Sequence, residues 1–280
     1  MFYEALYILV LALSTRHGAA FVVQKSSASA HLRFPLLMAS SDAESSFSTT
    51  TNMIDGPTLP AQDTTTKRLF MLRHGEVINP GGDRPVFYGS QDVSLSDLGK
   101  LEAQAAAAYL QQFSLDAVFC SPLRRAMYGA KKVADAQPNV KSVTALEGFT
   151  ELDRGAWRGK TTDEIGADLL ARFDACDESA TPDGGESFPQ LKVRVLEALD
   201  EALQQLQPGQ AGAIVSHLQV TRSILSQALG IPTEKMTQLP IATASITCVD
   251  YTADNNQPAQ VHFQSFKPEV GLRQAKDAAN

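Results

Sequence analysis

Residues 68–76 read Arg-Leu-Phe-Met-Leu-Arg-His-Gly-Glu: a short apolar run that stops on a cation, an imidazole and a glycine. Four consecutive apolar residues suit a strand buried on both faces. The pattern recurs twice. Residues 116–120 (DAVFC) run into Ser121-Pro122-Leu123-Arg124-Arg125, and residues 211–216 (AGAIVS) run into His217. Between these strands lie segments with helical spacing. The stretch 94–112 is rich in helix formers and can be capped by Ser94 or Ser96, and Pro122 suits the first turn of a helix after the second strand. Apolar residues recur on one face over 188–206 (Leu191, Val195, Leu199, Leu203, Leu206), and helical spacing is also found over 161–176 and 220–229. Residues 245–251 and 260–266 close the chain's pattern as strands. Strands alternating with helices predict a three-layer α/β/α sandwich around a mainly parallel sheet. In such sheets ligands gather at the carboxyl ends of the strands. Arg73-His74, residues 121–125 and His217 each follow a predicted strand, so the three clusters converge at one edge.

Composition narrows the chemistry. The 280 residues are 44% hydrophobic and 20% charged, ordinary for a globular protein, with a net charge of −7. No long basic run offsets that charge, which excludes nucleic acid as a general partner. An acidic surface does not exclude a phosphorylated small molecule, because a phosphate pocket needs only a few converging cations. The three cysteines, Cys120, Cys176 and Cys248, are far apart and form no C-x-x-C pair. Neither a zinc site nor a disulfide framework is expected from them.

The first 66 residues read as an address and a linker. Residues 5–13 (ALYILVLAL) form an apolar run too short to span a bilayer and suited to a signal peptide, with Gly18-Ala19-Ala20 as the cleavage region of a segment 1–20. Residues 21–41 begin at Phe21, are Ser-rich, carry Lys25 and Arg33 and contain no acid, the composition of a transit peptide. Together they resemble a two-part presequence of algae with complex plastids. Plastid delivery is expected, with secretion or an endomembrane lumen as the alternative, and no stable membrane insertion once the presequence is removed. Residues 42–66 are Ser, Thr, Asp and Pro with few large apolar groups, predicting a disordered linker before a domain over 67–280.

Metal-free hydrolysis of a phosphate monoester needs a nucleophile for phosphorus, cations for the phosphoryl oxygens and an acid for the leaving group. The chain carries all three in ordered segments: RHGEVINP (73–80), LSDLGKLEAQA (95–105), SPLRRA (121–126), ELDRGAWRG (151–159), GGES (184–187) and VSHLQVTR (215–222). This set resembles the histidine phosphatase superfamily, also called the phosphoglycerate mutase-like family. The tripeptide alone carries no weight, since Arg16-His17-Gly18 repeats it inside the presequence. The resemblance implies His74 as nucleophile, Glu151 as general acid, and Arg73, Arg125 and His217 as phosphate ligands, with no metal and no other cofactor. Arg124 competes with Arg125 by adjacency, and the family spacing from Ser121 selects Arg125. Asn79, Glu186 and Ser187 are candidate substrate contacts; as plain structure they are a turn residue and a helix start. Glu76 is expected to orient the site loop, and Trp157 to pack beneath the acid loop.

The chain departs from the family pattern at three places: Leu218-Gln219 stand where glycine usually follows the second histidine, Ser90 where an arginine is common, and Gly129 where threonine is usual. None removes a group with a chemical role. The expected function is a phosphomonoesterase of the histidine acid/alkaline phosphatase type, acting on a small phosphorylated metabolite through phosphohistidine. A phosphoglycerate mutase is the alternative within the fold, and a non-catalytic phospho-ligand or protein-binding module is the alternative outside enzymology.

Overall fold

The computed structural model describes residues 55–252 and 258–270, so the presequence expected over 1–41 lies outside the described residues. Six strands form one sheet in the order β3-β2-β4-β1-β5-β6. They are β1 (Thr66–Arg73), β2 (Ala117–Cys120), β3 (Val143–Ala145), β4 (Ala211–Ser216), β5 (Ile246–Thr252) and β6 (Gln260–Phe266). The first four strands run parallel, while β5 pairs antiparallel with β1, and β6 with β5. The mainly parallel sheet is thus extended on one side by an antiparallel hairpin.

Alternation along β1 builds the two cores. Leu69 and Met71 point to one face, with Phe119 and Ile214, under α5 (Phe188–Gln204) and α6 (Leu218–Ala228). Phe70 and Leu72 point to the other, with Val118 and Val215, under α1 (Asp97–Leu110) and α2 (Arg124–Asp135). Both faces being covered explains why the strands read as continuous apolar runs. Gly129 lets α2 approach β4, since a Cβ there would lie 3.2 Å from Val215 Cγ1.

Three elements differ from expectation. The short edge strand β3 has no apolar run of its own and forms only by pairing with β2. The helix expected over 161–176 is two, α3 (Thr162–Ile165) and α4 (Ala167–Asp174), divided at Gly166, whose φ of 96° no helix accommodates. In the segment 42–66, residues 55–65 are described, and they lie against the domain instead of standing free. Tyr109 Oη donates to the Pro57 carbonyl at 3.2 Å, Gln62 Nε2 donates to the Gln210 carbonyl at 2.7 Å, and Leu59 packs on the α1 side of the core. These anchors are tertiary, so local composition carries no sign of them.

Candidate active site

Register places the two histidines side by side. Arg73 pairs with Ser216 at the ends of parallel β1 and β4, so the next residue of each strand, His74 and His217, leaves the sheet at the same point. Their rings are 5.2 Å apart, centroid to centroid, and both are buried. The backbone of this corner is held on both sides. His74 N–H donates to the Ser216 carbonyl, Arg73 N–H to the Ser245 carbonyl, and the His74 carbonyl accepts from Ala244 N–H.

The loop after His74 is seated by the start of α1. Gly75 and Gly99 meet backbone to backbone: a Cβ on Gly75 would lie 2.3 Å from Gly99 O, and one on Gly99 only 1.9 Å from Glu76 O. Ser96 caps α1 by accepting from Gly99 N–H, and its hydroxyl also donates to Glu76 Oε1 at 2.6 Å. Buried Glu102 accepts from Glu76 N–H at 2.7 Å. Hence RHGE and LSDLGKLE are two halves of one construction, with Glu76 a loop-orienting residue as expected.

The tautomer of His74 follows from its neighbour. Nδ1 lies 2.7 Å from the Gly75 carbonyl, which can only accept, so Nδ1 carries the hydrogen and Nε2 keeps its lone pair. Burial, followed by the charges of Arg125 and Arg73, pushes the imidazole pKa down to about 3. It is therefore a neutral base across the physiological range. His217 is held well below its ordinary value by burial, then by His74, Arg125 and Arg73. Its Nε2 lies 2.7 Å from Ser121 Oγ, at the end of β2.

The two adjacent arginines of SPLRRA separate cleanly. Arg125 is fully buried, with its guanidinium donating to the carbonyls of Gln91 (2.6 Å) and Gly89 (2.8 Å) beside the Tyr88 ring. The Arg124 side chain is 62% exposed and pairs with Asp92 at the surface. Arg73 donates to the Ile241 carbonyl at 2.6 Å. Burial lowers the pKa of both Arg73 and Arg125, with Glu151 the first charge acting against that shift. Arg73 Nε and Arg125 Nε are buried donors without a partner among the described residues, and His217 Nδ1 is a buried ring nitrogen without one. Buried donors in such numbers are costly unless an anion meets them.

Glu151 is buried, its Oε1 accepting from Leu152 N–H at 2.7 Å and its Oε2 lying 3.4 Å from Gln219 N–H in the first turn of α6. The backbone before it is gripped by Arg194, which donates to the carbonyls of Gly148 (2.9 Å) and Thr150 (2.8 Å) and pairs with Glu186. Glu186 also accepts from Asp153 N–H at 3.0 Å. Glu186 thus braces the acid loop from behind. Ser187 caps α5 in a reciprocal box with Gln190. Asn79 spends its amide on its own turn, donating to the carbonyls of Gly82 and Arg84 and accepting from Gly81 N–H. These three candidate substrate contacts are therefore engaged in structure, while His74, Arg73, Arg125, Glu151 and His217 are brought together. Trp157 is buried edge-on against Phe173 below the acid loop.

Sequence reasoning missed Tyr88 and Arg194, which no motif marks, and gave no role to Arg154 and Arg222, although both lie inside the segments 151–159 and 215–222. Among the described residues no cluster of His, Cys, Asp and Glu suits a metal ion.

Residues 69–263 match the family profile of the histidine phosphatase superfamily, branch 1. The chain is 31% identical over 208 residues to a bifunctional protein of Mycobacterium tuberculosis, covering 71% of this chain and 55% of that one; it spans about half the length of the first curated relatives it matches. It is 34% identical over 179 residues to a glucosyl-3-phosphoglycerate phosphatase of Mycolicibacterium vanbaalenii, covering 60% of this chain and 76% of that one. Among solved structures, mycobacterial hydrolase 2 superposes with a TM-score of 0.66 at 26% identity, covering 76% of this chain and 97% of that one. A profile match over most of the described domain, on a site where two buried histidines feel the charges of two arginines, means that this chain belongs to the histidine phosphatase superfamily.

Proposed function

We propose that this protein is a phosphomonoesterase that hydrolyses a small phosphorylated metabolite through a phosphohistidine on His74. The observation that carries the reading is the contact of His74 Nδ1 with the Gly75 carbonyl, which leaves a neutral Nε2 on a ring that feels the charges of Arg125 and Arg73. Nε2 attacks phosphorus, the bond to the ester oxygen breaks, and Glu151 gives that oxygen a proton. The Glu151 carboxylate then takes a proton from water as the water oxygen attacks phosphorus. The N–P bond breaks, inorganic phosphate leaves and His74 is restored. Arg73, Arg125 and His217 stabilise the phosphoryl oxygens throughout. A relative named for action on glucosyl-3-phosphoglycerate supports a metabolite rather than a phosphoprotein as substrate.

The full chain should release phosphate from an aryl phosphate and yield an acid-labile, base-stable phosphoprotein on quenching. His74→Ala should abolish both, lowering turnover on the order of ten thousand-fold or more. Undiminished turnover in that variant sinks the reading. Interconversion of 2- and 3-phosphoglycerate faster than phosphate release would replace hydrolysis by mutase chemistry at the same site.

The presequence reading adds delivery to a plastid, supported by the apolar run at 5–13 and the acid-free, Ser-rich stretch at 21–41. A fluorescent protein fused behind residues 1–41 and imaged in an alga with complex plastids tests it; fluorescence confined to the secretory pathway or the cytosol overturns it.

A further inference from the structure

Arg154 is the guanidinium that the phosphoryl chemistry leaves unused. It lies three residues after Glu151, partly buried, with its guanidinium carbon 4.6 Å from the centroid of the Phe87 ring and 5.6 Å from that of Phe173. Its side chain makes no hydrogen bond and no ion pair with any described residue. Every other arginine named around the site has at least one protein partner: Arg73 donates to Ile241, Arg125 to Gln91 and Gly89, Arg194 pairs with Glu186, and Arg222 donates to the Leu239 carbonyl at 2.9 Å. One residue separates Arg154 from the phosphate clamp. The Gly89 carbonyl receives Arg125, while a Cβ built on Gly89 would sit 2.7 Å from Arg154 Cγ.

Holding a guanidinium partly out of water against two aromatic faces fixes its plane and leaves its N–H edges for a ligand. The cost of that desolvation shows in its pKa, which burial lowers despite the opposing charges of Glu151 and Asp174. Those two carboxylates and Arg222 are the charged groups that face it. A single planar fork matches a single planar monoanion. A second phosphoryl group would call for the larger donor set that Arg73, Arg125 and His217 provide next door.

We infer that Arg154 is a specificity residue that binds a substrate carboxylate placed close to the phosphate ester, so that the preferred substrates are phosphorylated hydroxy or amino acids. The inference rests on the phosphatase reading above and narrows its substrate class.

The test compares pairs of esters that differ only at the carboxylate: phosphoserine against phosphoethanolamine, and 3-phosphoglycerate against glycerol 3-phosphate. The full chain should favour the carboxylated member in kcat/KM by about 10- to 100-fold, the range of a charged hydrogen-bonded pair. Arg154→Gln should bring the ratio near unity, and Arg154→Lys should restore it in part. A fall shared by all four esters and an aryl phosphate, with the ratios unmoved, overturns the assignment. So does a wild-type preference for a hexose bisphosphate over the acids that Arg154→Gln removes. Should the wild type hydrolyse none of these compounds, the phosphatase reading fails on its own. Calorimetric binding of the same pairs to wild type and Arg154→Gln then decides the inference: a preference for the acids that depends on Arg154 supports it, and equal binding ends it.

Discussion

The phosphate side and the leaving-group side of the site are built by opposite means. On the phosphate side, His74, Arg125 and His217 are buried and follow directly on strand ends or the start of α2; the backbone at residues 73–74 is tied to β4 and to residues 244–245 just before β5, and Arg125 to the Gly89 and Gln91 carbonyls. On the leaving-group side, residues 80–91 and the segment 153–186, loops around the short helices α3 and α4, are joined by the exposed pair Arg84–Glu164, while Arg158 pairs with Asp153 within the second segment. Bonds between Phe87 and residues 159–160 link the two loops. Strand register makes the first region nearly invariant in geometry, because moving one residue would slip a parallel sheet. The second region can change its side chains without touching the sheet, which suits a part that selects substrates.

The contrast can be broken most sharply within SPLRRA. Arg125→Ala should lower kcat/KM toward an aryl phosphate by about a hundred- to a thousand-fold, whereas Arg124→Ala should stay within a few fold. Equal losses would mean that burial does not separate their roles. Next comes the brace behind the acid loop. Arg194→Ala should reduce kcat by about 10- to 100-fold for an alkyl phosphate, whose poor leaving group needs the proton from Glu151, and by much less for an aryl phosphate. A uniform loss across leaving groups would point to general unfolding.

The buried histidines also predict an acid weakness of the phosphate side. Their pKa values are lowered in the folded state, to about 3 for His74, whereas the unfolded chain takes up protons near 6.5. The unfolded state therefore binds more protons between those values. The stability present above pH 6.5 is lost as pH falls, by about 1.4 kcal/mol per pH unit per histidine. Urea unfolding between pH 5 and 6.5, above the range where carboxylates titrate, should show that slope, and His74→Ala should remove one proton's share. A flat profile would refute burial of neutral imidazoles. The smallest effect belongs to the loop side: Arg84→Ala should change the unfolding free energy by less than about 1 kcal/mol, because the Arg84–Glu164 pair is exposed. A larger urea midpoint shift would show that the loops share the rigidity of the sheet.

Much of this was legible from local pattern. The runs ending at Arg73 and Ser216 are strands because buried parallel strands are apolar on both faces, and each is followed by a polar residue at the edge where ligands gather. What pattern could not carry is partnership across the chain. Nothing near Gly99 states that its Cα must lie against Glu76, and nothing near Arg194 states that its guanidinium will hold the carbonyls of residues 148 and 150. Asn79, Glu186 and Ser187 illustrate the other side of that limit. Their residue types suit a ligand and a turn, brace or cap equally well; in the structure Asn79 and Ser187 bond within their own turn and helix start, and Glu186 bonds across to Asp153 and Arg194.

Local order in the chain was enough to specify strand, helix and the chemical kinds that meet at the strand ends, because these depend on periodicity and on residue type. The tertiary structure alone decided that His74 and His217 stand 5.2 Å apart, that Arg125 is buried and Arg124 exposed, and that Arg154 is left without a protein partner among the described residues. Those outcomes depend on strand register, helix packing and the desolvation of charge, which are set by residues far apart in sequence.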